Sequence, residues 1–265
     1  MPYIDACIQL KVPLAVFHHD PSPKHWVQRL RAAGIPVWMQ ASSLEITEAA
    51  IELGVDGIVA QGSEAGGHAR GTIPLHTMLK TIHHRWPDML LLAAGGISDG
   101  SAVAAALRLG ADGVRVGTAL VATMEANAHP EYQRRLIESS GTTLRPNAFG
   151  PERPDQSYRL LATPAVRQAT HDTSGADPQS QHSIGRTRIF PHSLNLPYEM
   201  PFRSTFPPTP ETTGDWDSMV YPAGQDAAAI QRIAPAAEVV ADMMHQARHV
   251  LAARSPLQPH SPPRQ

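Results

Sequence analysis

The residues best suited to chemistry lie in one short stretch, residues 61–71, which reads QGSEAGGHARG. Its glycines allow backbone conformations with positive φ or a close approach to a ligand. His68 is the one side chain in the stretch that can transfer a proton near neutral pH. The stretch follows the apolar run GIVA at residues 57–60, which is typical of a buried strand. We therefore predict a ligand site at the end of a buried strand. A loop histidine that only hydrogen-bonds the backbone is the alternative reading of His68.

Two further glycine turns follow predicted strands, Gly95-Gly96 and Gly117-Thr118. In a β/α barrel, backbone N–H groups and helix N-termini after the last two strands commonly bind a phosphate. Glycine lets the phosphate approach, and the Thr118 hydroxyl adds a hydrogen-bond donor. Each turn alone is equally consistent with an ordinary strand-to-helix connection. The presence of both turns, together with residues 61–71, here called the histidine loop, favours a phosphate-bearing ligand.

The elements that position these turns are short strands that alternate with amphipathic helices up to about residue 140. The predicted strands are residues 12–17, 35–40, 57–60, 89–94 and 113–116. The predicted helices begin at a Ser22 cap, at a Ser42/Glu45 capping box, at Pro74, and at a Ser98 or Asp99 cap. The sequence GVDGI at residues 54–58 recurs as GADGV at residues 110–114. This alternation predicts an α/β fold with a parallel sheet.

Composition narrows the class of protein. The 265 residues are 42% hydrophobic and 17% charged with a formal net charge of −2, and they contain no run of basic residues, so we predict no nucleic-acid partner. The longest uncharged apolar run, residues 89–97, is shorter than the ~20 residues that span a bilayer. The single cysteine, Cys7, excludes an intrachain disulfide and fits a reducing compartment. We predict a soluble cytoplasmic protein with no membrane partner.

The composition changes after about residue 140. Twelve of the 25 prolines lie between Pro146 and Pro222, which predicts an irregular segment over residues 141–222. Residues 171–184 have the composition of a flexible insertion. Residues 236–252 show an apolar helical face, and residues 255–265 a proline-rich tail that we expect to be disordered.

Taken together, these residues resemble the nitronate monooxygenase family, also called 2-nitropropane dioxygenase-like, whose members are FMN enzymes with a TIM-barrel fold. The matching pieces are AQGSEAGGHARG at residues 60–71, LLAAGGISDGSAVAAALRLGADGVRVGTALVATMEA at residues 91–126 and YPAGQDAAAIQRIAPAAEVV at residues 221–240. Weaker similarity runs through residues 12–55. The EAGGH and AAGGISDG pieces are specific in combination.

The resemblance implies that FMN lies across the carboxyl ends of the strands and that His68 is the active-site base. His68 would take the α-proton of a nitroalkane or hydrogen-bond the bound nitronate, and oxygen would be consumed to give a carbonyl compound and nitrite. The residues that the resemblance implies for FMN binding are Gln61, Gly66, Gly67, Gly95, Gly96, Arg115, Val116, Gly117 and Thr118. For Arg115, a contact through its backbone is the expected role.

The chain also departs from the family. Because its five predicted strands correspond by order to strands four to eight of the barrel, we expect about 90 residues of a complete barrel, at ~30 per βα unit, to be absent from this sequence. We expect a partial FMN-binding barrel over residues 1–140, a cap or insertion over 141–222, a C-terminal segment with its helix over 223–254, and the tail. An open parallel arc exposes its edges and its inner face, which predicts a homo-oligomer or a complementing chain.

Several alternatives stay open from the sequence. An FMN- and NAD(P)H-dependent reductase of the enoyl-acyl-carrier-protein reductase II or quinone reductase type has the same barrel and a similar loop. A non-catalytic remnant is the other alternative. Glu64 either orients His68 or pairs with a helix N-terminus. The adjacent pairs His18-His19 and His83-His84 do not make metal sites, because neighbouring side chains on a strand or a helix diverge.

Overall fold

A computed structural model describes residues 2–18, 24–146, 157–171, 182–189 and 195–253 of the protein. Its helices are α1 (Pro2–Gln9), α2 (Lys24–Ala32), α3 (Leu44–Glu52), α4 (Leu75–Arg85), α5 (Gly100–Arg108), α6 (Thr118–Val121), α7 (Pro130–Glu138), α8 (Pro164–His171) and α9 (Ala236–Ala252), with a 3₁₀ turn at Ala227–Ala229. Its strands are β1 (Ala15–His18), β2 (Val37–Ala41), β3 (Gly57–Gln61), β4 (Gly67–His68), β5 (Leu90–Ala94), β6 (Gly113–Arg115), β7 (Thr143–Leu144), β8 (Tyr158–Leu161), β9 (Ser183–Ile189), β10 (Leu196–Pro201) and β11 (Thr213–Gly214).

The central element is a five-stranded parallel sheet in the order β1-β2-β3-β5-β6. Each of its strands overlaps one of the five predicted from the sequence, so the α/β class is confirmed. Among the described residues, β1 and β6 each pair with one neighbour only. The assignment of these strands to positions four to eight of a barrel stays a prediction, as does the division into domains.

The two faces of the sheet carry different kinds of side chain. The outer face buries Met39, Ile58 and Leu91, each at most 1% exposed, against the helices in one hydrophobic core. The opposite face, here called the inner face, carries side chains that the strand register places together: Val16, His18, Gln40, Gln61, Leu90, Ala94 and Arg115. The polar members lie at the carboxyl ends of the strands. Val16 and Leu90, nearer the amino ends, are 36% and 38% exposed.

The repeated GVDGI and GADGV sequences share a structural role. The carboxylate of Asp56 accepts the Val37 N–H at 2.8 Å, and the carboxylate of Asp112 accepts the Leu91 N–H at 2.8 Å. The backbone N–H of Asp56 also donates to the Val37 carbonyl oxygen at 2.7 Å, and the backbone N–H of Asp112 donates to the Leu91 carbonyl oxygen at 2.8 Å. Each repeat therefore ties the start of one strand to the start of the preceding strand in the sheet.

Replacing Asp112 with alanine is expected to lower the free energy of unfolding by about 1–3 kcal/mol, because the Leu91 N–H loses its acceptor. Urea unfolding followed by circular dichroism measures the change. Asp88→Ala, at an exposed position, is the control and should stay within ~0.5 kcal/mol of the parent. A loss for Asp112→Ala no larger than the control's would contradict the proposed role.

The structure corrects one predicted helix cap and decides between the two candidates for another. The cap of α3 is Ser43 and not Ser42: the Ser43 hydroxyl accepts the Ile46 N–H at 3.2 Å. Ser42 is buried, and a Cβ added to Gly71 would stand 2.2 Å from its carbonyl oxygen, so this residue belongs to a packed turn. Asp99 caps α5, accepting the Ala102 N–H at 2.8 Å. The predicted Ser22 cap lies outside the described residues.

Part of the segment predicted as irregular is folded into strands. Two antiparallel three-stranded sheets, β10-β9-β11 and β4-β8-β7, include strands from residues 143–214. The prolines fit because Pro197 and Pro201 lie in β10, an edge strand, where a missing N–H is tolerated. Of the predicted insertion, residues 172–181 lie outside the described residues, and so does the predicted tail. Helix α9 has the bounds predicted for it.

Among the helices that the structure describes, none is both long enough and apolar enough to cross a membrane.

Candidate active site

A cavity of about 680 Å³ lies at the carboxyl ends of the parallel strands. It brings together all ten residues predicted from the sequence, which lie at the carboxyl ends of β3 and β6 or in the segments that follow β3, β5 and β6: Gln61, Gly66, Gly67, His68, Gly95, Gly96, Arg115, Val116, Gly117 and Thr118. Residues of the C-terminal segment, among them Pro207, Pro222 and Asp226, complete its wall. The carboxyl end of a parallel sheet is where α/β enzymes bind their ligands. The roles of the individual residues stay predictions.

His68 is held by a strand pair and by a ring contact. It lies in β4, which pairs antiparallel with β8, so that His68 is opposite Tyr158. The two rings have centroids 4.3 Å apart and planes inclined at 55°. The Gln61 side-chain amide donates to the His68 carbonyl oxygen at 3.1 Å. The imidazole is therefore half-buried and oriented at the cavity wall, as a positioned acid–base group must be.

Glu64 follows the second of its two predicted alternatives. Its two carboxylate oxygens lie 3.1 and 3.0 Å from the N–H of Leu75, the first residue of α4. A carboxylate at this place satisfies a free amide and interacts favourably with the helix dipole. Glu64 therefore fixes the histidine loop to α4.

Two arginines that sequence reasoning missed, the half-buried Arg145 and the buried Arg159, hold carbonyl groups of the histidine loop. Arg145 donates to the carbonyl oxygens of Ala69 and Gly71, the latter at 2.9 Å. Arg159, only 6% exposed, donates to the Ser63 carbonyl oxygen at 2.7 Å. Burial, followed by the nearby charge of Arg145, lowers the pKa of Arg159. The loop is thus tied to residues more than seventy positions away along the chain.

The glycines of the site serve different purposes. Gly95 and Gly96 have φ of +102° and +67°, in the left-handed region that favours glycine. A Cβ on Gly66 would stand 2.4 Å from the Ala223 carbonyl carbon, so Gly66 is required by packing against the C-terminal segment. A Cβ on Gly117 would meet nothing within 4 Å, so this backbone faces open space at the cavity. The Thr118 hydroxyl oxygen accepts the Gly224 N–H at 3.0 Å, which leaves the hydroxyl hydrogen for a ligand.

A row of polar side chains crosses the carboxyl end of the inner face. Arg115 donates to the Gln40 side-chain oxygen at 2.6 Å, so its guanidinium has a partner within the protein. Burial, and then the charge of Arg115, lowers the pKa of His18, while a hydrogen bond with Gln40 raises it. Sequence reasoning assigned no role to Gln40 or His18. The strand register was the missing information, since it places both at one end of the sheet.

One buried polar atom in the cavity wall has no hydrogen-bond partner among the described residues. The Gln61 side-chain oxygen is buried and, within the described part of the chain, has no hydrogen-bond donor. Buried polar atoms without a partner cost about 1–3 kcal/mol, so they usually mark a place that a ligand or water completes. Gln61, at the end of β3, and Gly117, after β6, both line this cavity. These features fit a ligand that donates hydrogen bonds and carries a phosphate.

The parallel sheet, its outer helices and the cavity at the carboxyl ends of its strands define an α/β protein of the TIM-barrel type. The chain belongs to the nitronate monooxygenase family, whose model matches residues 3–246. It is 32% identical over 247 residues to the nitronate monooxygenase of Paraburkholderia phytofirmans, a match that covers 89% of this chain and 61% of that protein.

Solved structures agree with this fold. A nitroalkane oxidase from Streptomyces ansochromogenes is 25% identical with a TM-score of 0.69, and the match covers 95% of this chain and 69% of that one. FabK from Thermotoga maritima is 23% identical with a TM-score of 0.73, covering 94% and 72%. The second likeness concerns the fold alone. The chain spans 42% to 61% of the length of curated relatives, so its activity, substrate and partners are matters of proposal.

Proposed function

We propose that the chain is an FMN-dependent nitronate monooxygenase that converts alkyl nitronates or nitroalkanes and O₂ to a carbonyl compound and nitrite. The observation that carries the proposal is the single cavity that holds His68, Gln61 and both glycine turns. Membership of the nitronate monooxygenase family supports the reaction class. The substrate within that class is left open by the cavity.

The residues present fit FMN. Gly95, Gly96, Gly117 and Thr118 would hold the phosphate, and the backbone at Gly117 is open to the cavity. Gln61 offers a buried acceptor that has no donor in the described part of the chain, and Gly66 and Gly67 line the same wall. FMN would supply the electron-transfer chemistry. The backbones of Arg115 and Val116 would contact FMN, and the Arg115 guanidinium, engaged with Gln40, would add positive charge.

His68 would move the proton of the reaction. A neutral nitroalkane carries an acidic C–H next to the nitro group, and the imidazole would accept that proton, leaving the nitronate in the cavity. The ring contact with Tyr158 and the hydrogen bond of Gln61 to the His68 carbonyl fix the imidazole for this transfer. A nitronate supplied as such needs no base, which gives the two substrate forms different demands on His68.

The test of this proposal is the visible spectrum of the purified chain after FMN is added and the excess removed. We expect retained flavin with shifted absorption bands, followed by oxygen consumption when a nitronate is supplied. Rapid anaerobic bleaching of the flavin by NADH would instead favour the reductase alternative. A folded chain that retains no flavin would contradict the proposal and favour the non-catalytic alternative. Sedimentation of the same sample tests the proposed homo-oligomer or complementing chain.

A further inference from the structure

Asp226 lies in the wall of the cavity, and the proposed reaction gives this acidic side chain no role. Its carboxylate accepts a hydrogen bond from the Ser98 hydroxyl, which follows the Gly95-Gly96 turn. Gly224, two residues before it, lies beside one of its carboxylate oxygens and donates its N–H to the Thr118 hydroxyl oxygen. Residues 224–226 therefore contact both turns that would hold the FMN phosphate.

The surroundings of Asp226 do not compensate a negative charge. Burial first, and then the charge of Asp99 at the start of α5, raises the pKa of the Asp226 carboxyl, while its own backbone N–H partly opposes this. The adjoining Glu64 is also acidic and is directed to the N-terminus of α4. Arg115, which lines the same cavity, is bonded to Gln40 on β2, and the cavity wall also carries the imidazoles of His18 and His68.

A phosphate that enters this wall brings up to two further negative charges. Two anions that share a partly dehydrated site repel each other, and the usual resolution is that one of them takes up a proton. A protonated carboxyl group is also a hydrogen-bond donor, which a phosphate oxygen can accept.

We propose that FMN binds together with one proton taken up at Asp226, so that a neutral carboxyl group donates to the phosphate. The inference rests on the proposed function. It makes Asp226 a residue that selects for the phosphorylated flavin and couples its affinity to pH.

The sign of the coupling follows from linkage. Bound phosphate raises the pKa of Asp226 further, so binding takes up a proton wherever the free carboxyl group is ionised. Affinity is then constant below the pKa of the free protein and falls as pH rises, by up to about tenfold per pH unit, until the pKa in the complex is passed. Riboflavin lacks the phosphate and should show no such fall.

The experiment measures the dissociation constants of FMN and riboflavin by flavin fluorescence between about pH 7 and 8.5. This range lies above the second ionisation of a phosphate ester, near pH 6, so the ligand keeps a constant charge. We expect the FMN dissociation constant of the parent protein to rise with pH, at up to about tenfold per pH unit, wherever Asp226 is ionised in the free protein and protonated in the complex. Asp226→Asn should show less than about a twofold rise and tighter FMN binding at the upper end, because the repulsion is gone.

Asp242→Asn is the matched control, since it removes one negative charge from an exposed position on α9 and should keep the parent's pH dependence. Equal pH profiles of the parent and Asp226→Asn would overturn the inference while leaving FMN binding in place. Failure of FMN to bind either protein at any pH would overturn the proposed function as well.

Ser98→Ala provides a second variant in case Asp226→Asn does not fold. It removes a donor to the carboxylate and keeps the charge, which raises the pKa of the free carboxyl group, so FMN should bind more tightly than to the parent over the measured range. Folded Ser98→Ala with the parent's FMN affinity throughout this range would count against proton uptake at Asp226.

Discussion

Replacing His68 with glutamine is expected to lower kcat/KM for a neutral nitroalkane by about 10²–10⁴-fold, the usual contribution of a positioned general base. Turnover of a preformed nitronate should fall much less, because its proton has already left. FMN binding should persist, since Gln61 donates to the carbonyl oxygen of His68, a backbone group that the variant keeps. The measurement is steady-state oxygen consumption with the two substrate forms.

The pH profile gives a second readout of the same variant. If His68 is the base, the rise of kcat/KM with pH that reports the free base should disappear in His68→Gln for the nitroalkane. His76→Gln, at an exposed position in α4, is the control and should behave like the parent. Full nitroalkane activity in His68→Gln would exclude a catalytic role, and an equal loss with both substrate forms would point to a binding role instead.

Two glycine variants are expected to separate packing from ligand approach. Gly66→Ala puts a Cβ 2.4 Å from the Ala223 carbonyl carbon, a backbone atom, so we expect a loss of about 1–3 kcal/mol in the free energy of unfolding. Gly117→Ala meets no atom within 4 Å and has φ of −124°, so its stability should stay within ~0.5 kcal/mol of the parent.

Although Gly117→Ala should leave the stability of the protein unchanged, we expect it to weaken FMN binding. The added methyl group occupies the space where the phosphate is proposed to approach the backbone, so FMN affinity should fall by at least about tenfold, which corresponds to ~1.4 kcal/mol. Thermal unfolding and flavin fluorescence titration measure the two quantities on the same samples. A stable Gly117→Ala variant with unchanged FMN affinity would mean that the phosphate lies elsewhere.

The sequence was most informative where local patterns decide structure. The apolar runs that became β2, β3 and β5 are bounded by glycines or by capped helices, so their positions follow from periodicity and turn chemistry alone. Only the exact cap failed: Ser42 and Ser43 are adjacent and chemically alike, and burial of Ser42 decided between them. The histidine loop was recognisable because glycine and histidine are concentrated in few residues.

The rest of the site depends on contacts between distant parts of the chain. Strand β8 has no periodic signal of its own, because all four of its residues are buried, and its partners β4 and β7 are two residues long. Arg159 and Arg145 have no local pattern that distinguishes them from surface arginines. Asp226 lay inside a segment matched by resemblance, but its position between two turns follows only from the packing of residues 224–226 against Thr118 and Ser98.

The pairing of β4 with β8 has a consequence for the order of folding. The hydrogen bond from Arg159 to Ser63 closes a loop of 96 residues, whereas the parallel sheet is built from neighbouring βα units. Contacts of long sequence separation are slow to form because the loop entropy is lost before the contact is gained. During synthesis, the parallel sheet and its glycine turns emerge before β8, the strand that pairs with β4 at His68. Acquisition of the cofactor would then report completion of the C-terminal segment, and not formation of the sheet.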